Sequence, residues 1–140
     1  MIERVVVASD QSETASRAVS WAAELARRFD AHLTIVQAFV PGPVPDGAEA
    51  SLAAYAERAV GPGTGVRVAA ADDPSAAIVS AAAAEKADVL VVGNIGMSGR
   101  KEFLLGNVPN RVSHSARCTV VIVNTAEEPR QKRRLPWSRS

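Results

Sequence analysis

Three glycines, Gly93, Gly96 and Gly106, punctuate the stretch VVGNIGMSGRKEFLLGNVPNRV, with two and then nine residues between them. Glycine lets a backbone pass through positive φ and approach a ligand closely, so such a loop can aim amide N–H groups at phosphate oxygens. Asn107, Val108 and Pro109 follow the third glycine. Asn is a favoured helix N-cap and Pro is favoured in the first turn, so the loop is expected to end on a helix N-terminus, where anions are attracted. The competing reading is a glycine-rich turn between strand and helix that holds no ligand. Phosphate binding is the favoured reading, because the loop follows an apolar run and its last glycine precedes a capped helix start.

The pattern excludes two better-known phosphate loops. A Walker loop ends in Gly-Lys-Ser/Thr, whereas Gly99 is followed by Arg100, Lys101 and Glu102. The dinucleotide fingerprint places its glycines at the end of the first strand, whereas the opening apolar run here ends in Ser9 and Asp10. A mononucleotide is the expected ligand. Asp10 has two readings, a ribose or metal contact and a helix cap, and the two are compatible. Arg100 and Lys101 could pair with phosphate oxygens or simply be solvated. His32 and His114 have no partners at metal-ligand spacing. Hydrolysis would need a positioned base and charge stabilisation, for which Asp10 and the Arg100–Lys101 pair are the candidates, so an efficient enzyme is not expected.

These groups need elements to position them. Residues 2–8, 32–39, 66–70, 87–92 and 119–124 read as strands, the first too apolar on both faces for an exposed position. Residues 13–29, 48–60, 74–86 and 107–115 read as helices, the first amphipathic with Ser12 or Asp10 as its cap. Pro41, Gly42, Pro43, Pro45 and Gly47 interrupt regular structure between the second strand and second helix. Alternating strands and helices predict a doubly wound α/β domain, a five-stranded parallel sheet with helices on both faces. Ligands of such sheets bind beyond the carboxyl ends of the strands, where the winding reverses. Asp10 and Gly93 share one crevice if the first and fourth strands are neighbours.

The glycine spacing resembles the nucleotide-binding signature of the universal stress protein family, with Asn107 standing where the family usually carries Ser or Thr. The opening Ala8-Ser9-Asp10 with Ser12 to Ala15, and the closing run from Cys118 to Val123, also resemble the family, over roughly residues 1–125. The resemblance implies a Rossmann-like sheet of order 3-2-1-4-5, which makes the first and fourth strands neighbours. It places adenine against backbone near Ala8 and Ala38, and ribose near Asp10 and Gly93. It places phosphates along Gly96, Met97, Ser98, Gly99, Asn107, Val108 and Pro109, within the loop that Gly106 closes. Pro109 offers no N–H there, which would favour fewer phosphates. The implied ligand is ATP with Mg²⁺. Members similar around Gly93-Asn94 and Val108-Pro109 bind cyclic AMP, which makes Asn94 a further candidate and cyclic AMP or AMP alternative ligands. A slow ATPase and an interaction domain with an empty crevice are the other readings. Family habit also implies a homodimer through the fifth strand, Thr119 to Asn124, whose unpaired edge needs covering.

Composition sets the outer bounds. A chain of 140 residues that is 47% hydrophobic has enough apolar material for one core. The expected domain spans residues 1–125. No apolar run approaches the ~20 residues needed to cross a bilayer, and Met1-Ile2-Glu3-Arg4 does not read as a signal peptide, so a cytoplasmic location is expected. Residues 126–140 carry Arg130, Lys132, Arg133, Arg134 and Arg139 against Glu127 and Glu128, and read as a basic, disordered tail. Since the whole chain nets only +1, the rest is slightly acidic, and no nucleic-acid surface is expected outside the tail. The single cysteine, Cys118, reads as a packed thiol.

Overall fold

Residues 1–94 and 108–125 are described by the computed structural model. In chain order they form β1 (Arg4–Ala8), α1 (Glu13–Phe29), β2 (His32–Phe39), α2 (Ala48–Ala59), β3 (Gly65–Ala70), α3 (Pro74–Ala84), β4 (Val89–Gly93), α4 (Val108–Ser115) and β5 (Thr119–Val123). The strands make one sheet of order β3-β2-β1-β4-β5, every pair parallel. This is the doubly wound arrangement expected, with β1 in the centre. The expected tail, residues 126–140, lies outside the described residues.

The sheet is apolar on both faces because alternate side chains of a strand point opposite ways. Val5 and Val7 enter a layer with Ala18, Val19 and Ala22 of α1 and Leu52, Tyr55 and Ala56 of α2. Val6 and Ala8 enter the other layer, with Ile78, Ala81 and Ala82 of α3 and Val108 and Val112 of α4. No helix among the described residues is long and apolar enough to cross a membrane.

Local chemistry sets the element ends. Ser12 Oγ accepts a bond from Ala15 N–H at 3.1 Å and caps α1. Asp73 caps α3 and Pro74 opens it, where a missing N–H costs nothing. That helix ends at Ala84 rather than at the expected Lys86, because Lys86 turns left-handed at φ 56°. β3 starts one residue earlier than expected, at Gly65 opposite Thr34. A Cβ on Gly65 would lie 2.9 Å from both His32 Cε1 and Thr34 Oγ1, so any larger residue there would have to displace those two side chains.

At the amino edge, β1 begins at Arg4 and β4 at Val89, each two residues later than expected. Ala87 N–H is spent on Ala82 O at 3.0 Å, at the end of α3, which delays β4, and Asp88 explains the start of β1. Its Oδ2 accepts Glu3 N–H at 2.8 Å and Arg4 N–H at 2.9 Å, while its own N–H donates to Arg4 O at 2.8 Å. The Glu3 and Arg4 amides hold its carboxyl below the ordinary value of 3.8. A depressed folded pKa adds stability at pH values above 3.8 that is lost as pH falls through the folded value. Asp88→Ala should therefore be less stable than the parent at pH 7 in urea unfolding, and the two curves should converge as pH is lowered below about 4. A constant gap across that range would exclude this role.

Candidate functional site

The central strand is the short one at the carboxyl edge. The β1–β2 register ends at Ala8 opposite Val36, and Ser9 N–H adds one more bond to Val36 O at 2.9 Å, while β2 runs on to Phe39. Alternate residues of a parallel strand turn their backbone groups toward opposite neighbours. Val36 faces β1, so Ala38 faces the same way, beyond the end of β1. On the other flank, Asn94 N–H donates to Val123 O at 2.9 Å, toward β5, so Gly93 faces the β1 side. The Ala38 and Gly93 backbones therefore flank a notch above the end of β1. β1 and β4 are neighbours, so Asp10, two residues beyond the end of β1, and Gly93, the last residue of β4, lie at the same edge of the sheet.

Asp10 leads the turn that joins the end of β1 to α1. It is half-buried, and its Oδ1 accepts Ser12 N–H at 2.9 Å, which supports the turn while Ser12 itself caps α1. Ser9 is fully buried and its Oγ accepts Gln11 N–H at 3.0 Å. Gln11 takes φ 71°, a region that costs a non-glycine residue roughly 1–2 kcal/mol. Sequence reasoning missed Gln11, because its neighbours Gln37 and Ser51 are distant in the chain.

Gly93 owes its identity to packing. It ends β4 without a positive φ, unlike Gly47, Gly61 and Gly63, so the left-handed freedom expected of it is not used. A Cβ there would meet Thr125 Cγ2 at 2.9 Å and Oγ1 at 3.1 Å. Thr125 is fully buried and ties the strand ends together: its N–H and Oγ1 both approach Asn94 Oδ1, at 2.8 and 3.2 Å. Asn94 Nδ2 donates to Asn124 Oδ1 at 3.4 Å, and Arg17 of α1 donates to the Thr125 carbonyl at 2.9 Å. Asn94, expected at the ligand, is thus also a clamp between β4 and the end of β5.

The remaining expected residues divide simply. Gly96, Met97, Ser98, Gly99, Gly106 and Asn107, with Arg100 and Lys101, lie outside the described residues. Ala8 and Val108 are buried in the layer under α3 and α4, so only their backbones could face a ligand. Val108 and Pro109 open α4. Beside that opening, Arg111 pairs with Asp73 at 3.2 Å and joins the first turn of α4 to the cap of α3. A hydroxyl bond from Ser75, with the Arg111 charge, holds the Asp73 carboxyl below its ordinary value.

A groove of about 410 Å³ lies at the opposite edge, between the ends of α3 and α4, and is lined by Val79, Ala83, Lys86, Arg117 and Cys118. Its cations sit where helix C-termini favour positive charge, so the fold accounts for them. Burial pushes the half-buried Cys118 thiol up, as befits a packed rather than reactive cysteine. Among the described residues, no group of three or more His, Cys, Asp and Glu could hold a metal.

The sequence profile described as the universal stress protein family matches residues 1–124. The chain belongs to this family. A universal stress protein solved in complex with cAMP is 34% identical, covering 89% of this chain and 98% of that one, with a TM-score of 0.70. Protein Rv1636 of Mycobacterium tuberculosis H37Rv is 38% identical over 89% of this chain and 97% of its own, with a TM-score of 0.56. By sequence alone, Universal stress protein Rv1636 aligns at 52% identity over 52 residues, only 36% of its length and 37% of this chain. A universal stress protein from Archaeoglobus fulgidus in complex with dAMP shares the fold, at 24% identity, 87% and 98% coverage and a TM-score of 0.63.

Seen as a universal stress protein, the chain uses the first glycine of the family signature to seat Thr125, a contact that only the folded β4–β5 pair reveals. Gly93→Ala should destabilise the protein by about 1–3 kcal/mol in chemical unfolding, the usual cost of overpacking. Adding Thr125→Ser, which removes the clashing Cγ2, should recover part of that loss; equal stabilities of the single and double variants would rule out this contact as the cause.

Proposed function

We propose that the chain is a regulatory module that binds an adenine nucleotide in the notch above β1 and uses occupancy to change its shape or association. The observation that carries this reading is the pair of flanking backbones. Beyond the end of β1, the Ala38 N–H and C=O face inward, a donor and an acceptor together, which suits the edge of a purine base. In this reading Asp10, in the turn after β1, serves the ribose hydroxyls, and α4, which begins at the same edge of the sheet, offers its N-terminus to phosphate. The solved relative at 34% identity in complex with cAMP supports the ligand class.

Two ligands fit this reading. ATP with Mg²⁺ would run its phosphates along the glycine stretch, with the metal held chiefly by those phosphates and Asp10, because no multidentate cluster stands among the described residues. Cyclic AMP is favoured by the relative's ligand and by Pro109, which removes an N–H from the start of α4. The proposed role is cytoplasmic and non-enzymatic, carried by residues 1–125 with 126–140 as an appended tail. Competitive calorimetry should give saturable binding of at least one of the two nucleotides, weakened about tenfold or more in Asp10→Ala through loss of a charged hydrogen bond. No saturable binding of either at millimolar concentration would refute the reading. Steady phosphate release from ATP that disappears in Asp10→Ala with binding intact would instead support a slow ATPase.

Association is proposed through β5. It is an edge strand, and Ile122 is 46% exposed on it, so a second copy could continue the sheet and bury that side chain. Sedimentation velocity at micromolar concentration should show a dimer that Ile122→Lys shifts to monomer; a monomeric parent protein would dispose of this interface.

A further inference from the structure

Gln11 occupies a backbone conformation, φ 71°, that glycine enters freely and glutamine does not. Such strain persists only where surrounding contacts hold it. The side chain supplies those contacts. Its Nε2 donates to Gln37 Oε1 of β2 at 3.0 Å and to Ser51 Oγ of α2 at 3.2 Å. Gln37 lies on the α1–α2 side of the sheet, since Val36 and Ala38 on either side of it pack in the opposite layer. From the other side, the buried Ser9 hydroxyl holds the Gln11 N–H.

The turn is therefore fastened to three elements. Ser9 anchors it to β1, Gln37 to the same stretch of β2 that carries Ala38, and Ser51 to the exposed side of α2. None of these bonds caps α1, whose cap is Ser12. What they fix is the residue before Gln11, which is Asp10.

We propose that Gln11 is a positioning residue for the nucleotide notch, holding the Asp10 turn in register with the Ala38 backbone. The proposal rests on the nucleotide reading above. Gln11→Gly removes the tether and relieves the backbone strain, so it separates positioning from stability. Gln11→Asn tolerates the same backbone but is one methylene too short to reach both partners.

Calorimetric titration of the full chain with ATP and Mg²⁺, and separately with cyclic AMP, tests this alongside thermal unfolding. Both variants should bind the parent's ligand about fivefold more weakly, as loss of ordinary hydrogen bonds implies, while the Gln11→Gly midpoint does not fall. In an Asp10→Ala background, Gln11→Gly should have no further effect on affinity, because it acts through Asp10. In the ligand-free protein, hydrogen exchange at Ser12 N–H, which bonds Asp10, should be faster in Gln11→Gly than in the parent. Unchanged affinity in Gln11→Gly, additive loss in the double variant, or affinity and midpoint falling together would each overturn the positioning role. Failure of the parent protein to bind either nucleotide would remove the nucleotide reading itself, and this proposal with it.

Discussion

Val5, Val6 and Val7 are consecutive, and none is more than 1% exposed. A strand that must bury neighbouring side chains on opposite faces can lie only inside a sheet covered on both sides. The rest of the architecture answers to that requirement. Helices must pack on both faces, and the winding must change direction at β1, since β2 and β3 lie on one side of it and β4 and β5 on the other. That reversal is where crossover connections part and leave a crevice.

The notch is deepened by the way β1 ends. Ser9 and Asp10 draw the chain into a turn by accepting the amides of Gln11 and Ser12, so β1 leaves the sheet while β2 continues to Phe39 and β4 to Gly93. Buried polar groups demand partners, and here they find them in the turn itself. On the β4 side, Thr125 plays the corresponding part by closing over Gly93 and bonding Asn94. The turn that ends β1 is thus shaped first by bonds between residues two apart, whereas the Gly93 wall of the notch depends on contacts between residues about thirty positions apart.

That difference explains what could be read from the chain. All five strands and the α1, α2, α3 and α4 helices were legible, because apolar runs and alanine-rich helical spacings mark them. Asp10 and Gly93 were legible as strand-end residues. The sheet order was not contained in any periodicity and came from family resemblance, since pairing depends on which strands meet in space. Nor was the reason for Gly93 legible. A glycine near a phosphate-like loop suggests backbone freedom, whereas Thr125 claims the space its Cβ would fill. Gln11 escaped for the same reason: a polar residue in a turn looks solvated until Gln37 and Ser51 are brought beside it. The start of β1 shifted because one carboxylate, Asp88, takes amides that a sequence pattern assigns to a strand, and that of β4 because Ala87 N–H still bonds the end of α3.

The central position of β1 also has a consequence for vectorial synthesis. By Ala70 the ribosome has made β1, β2 and β3, which pair as one half of the sheet, but the second neighbour of β1 ends only at Gly93. At about 5–20 residues per second, that gap lasts on the order of a second or more. During it, the central strand, with Val5, Val6 and Val7 all buried in the finished fold, is a temporary sheet edge with unpaired backbone groups, open to any other strand that arrives first. The α1 helix, completed earlier, already covers one of its faces, so the nascent half-domain exposes an edge and one face rather than a bare strand.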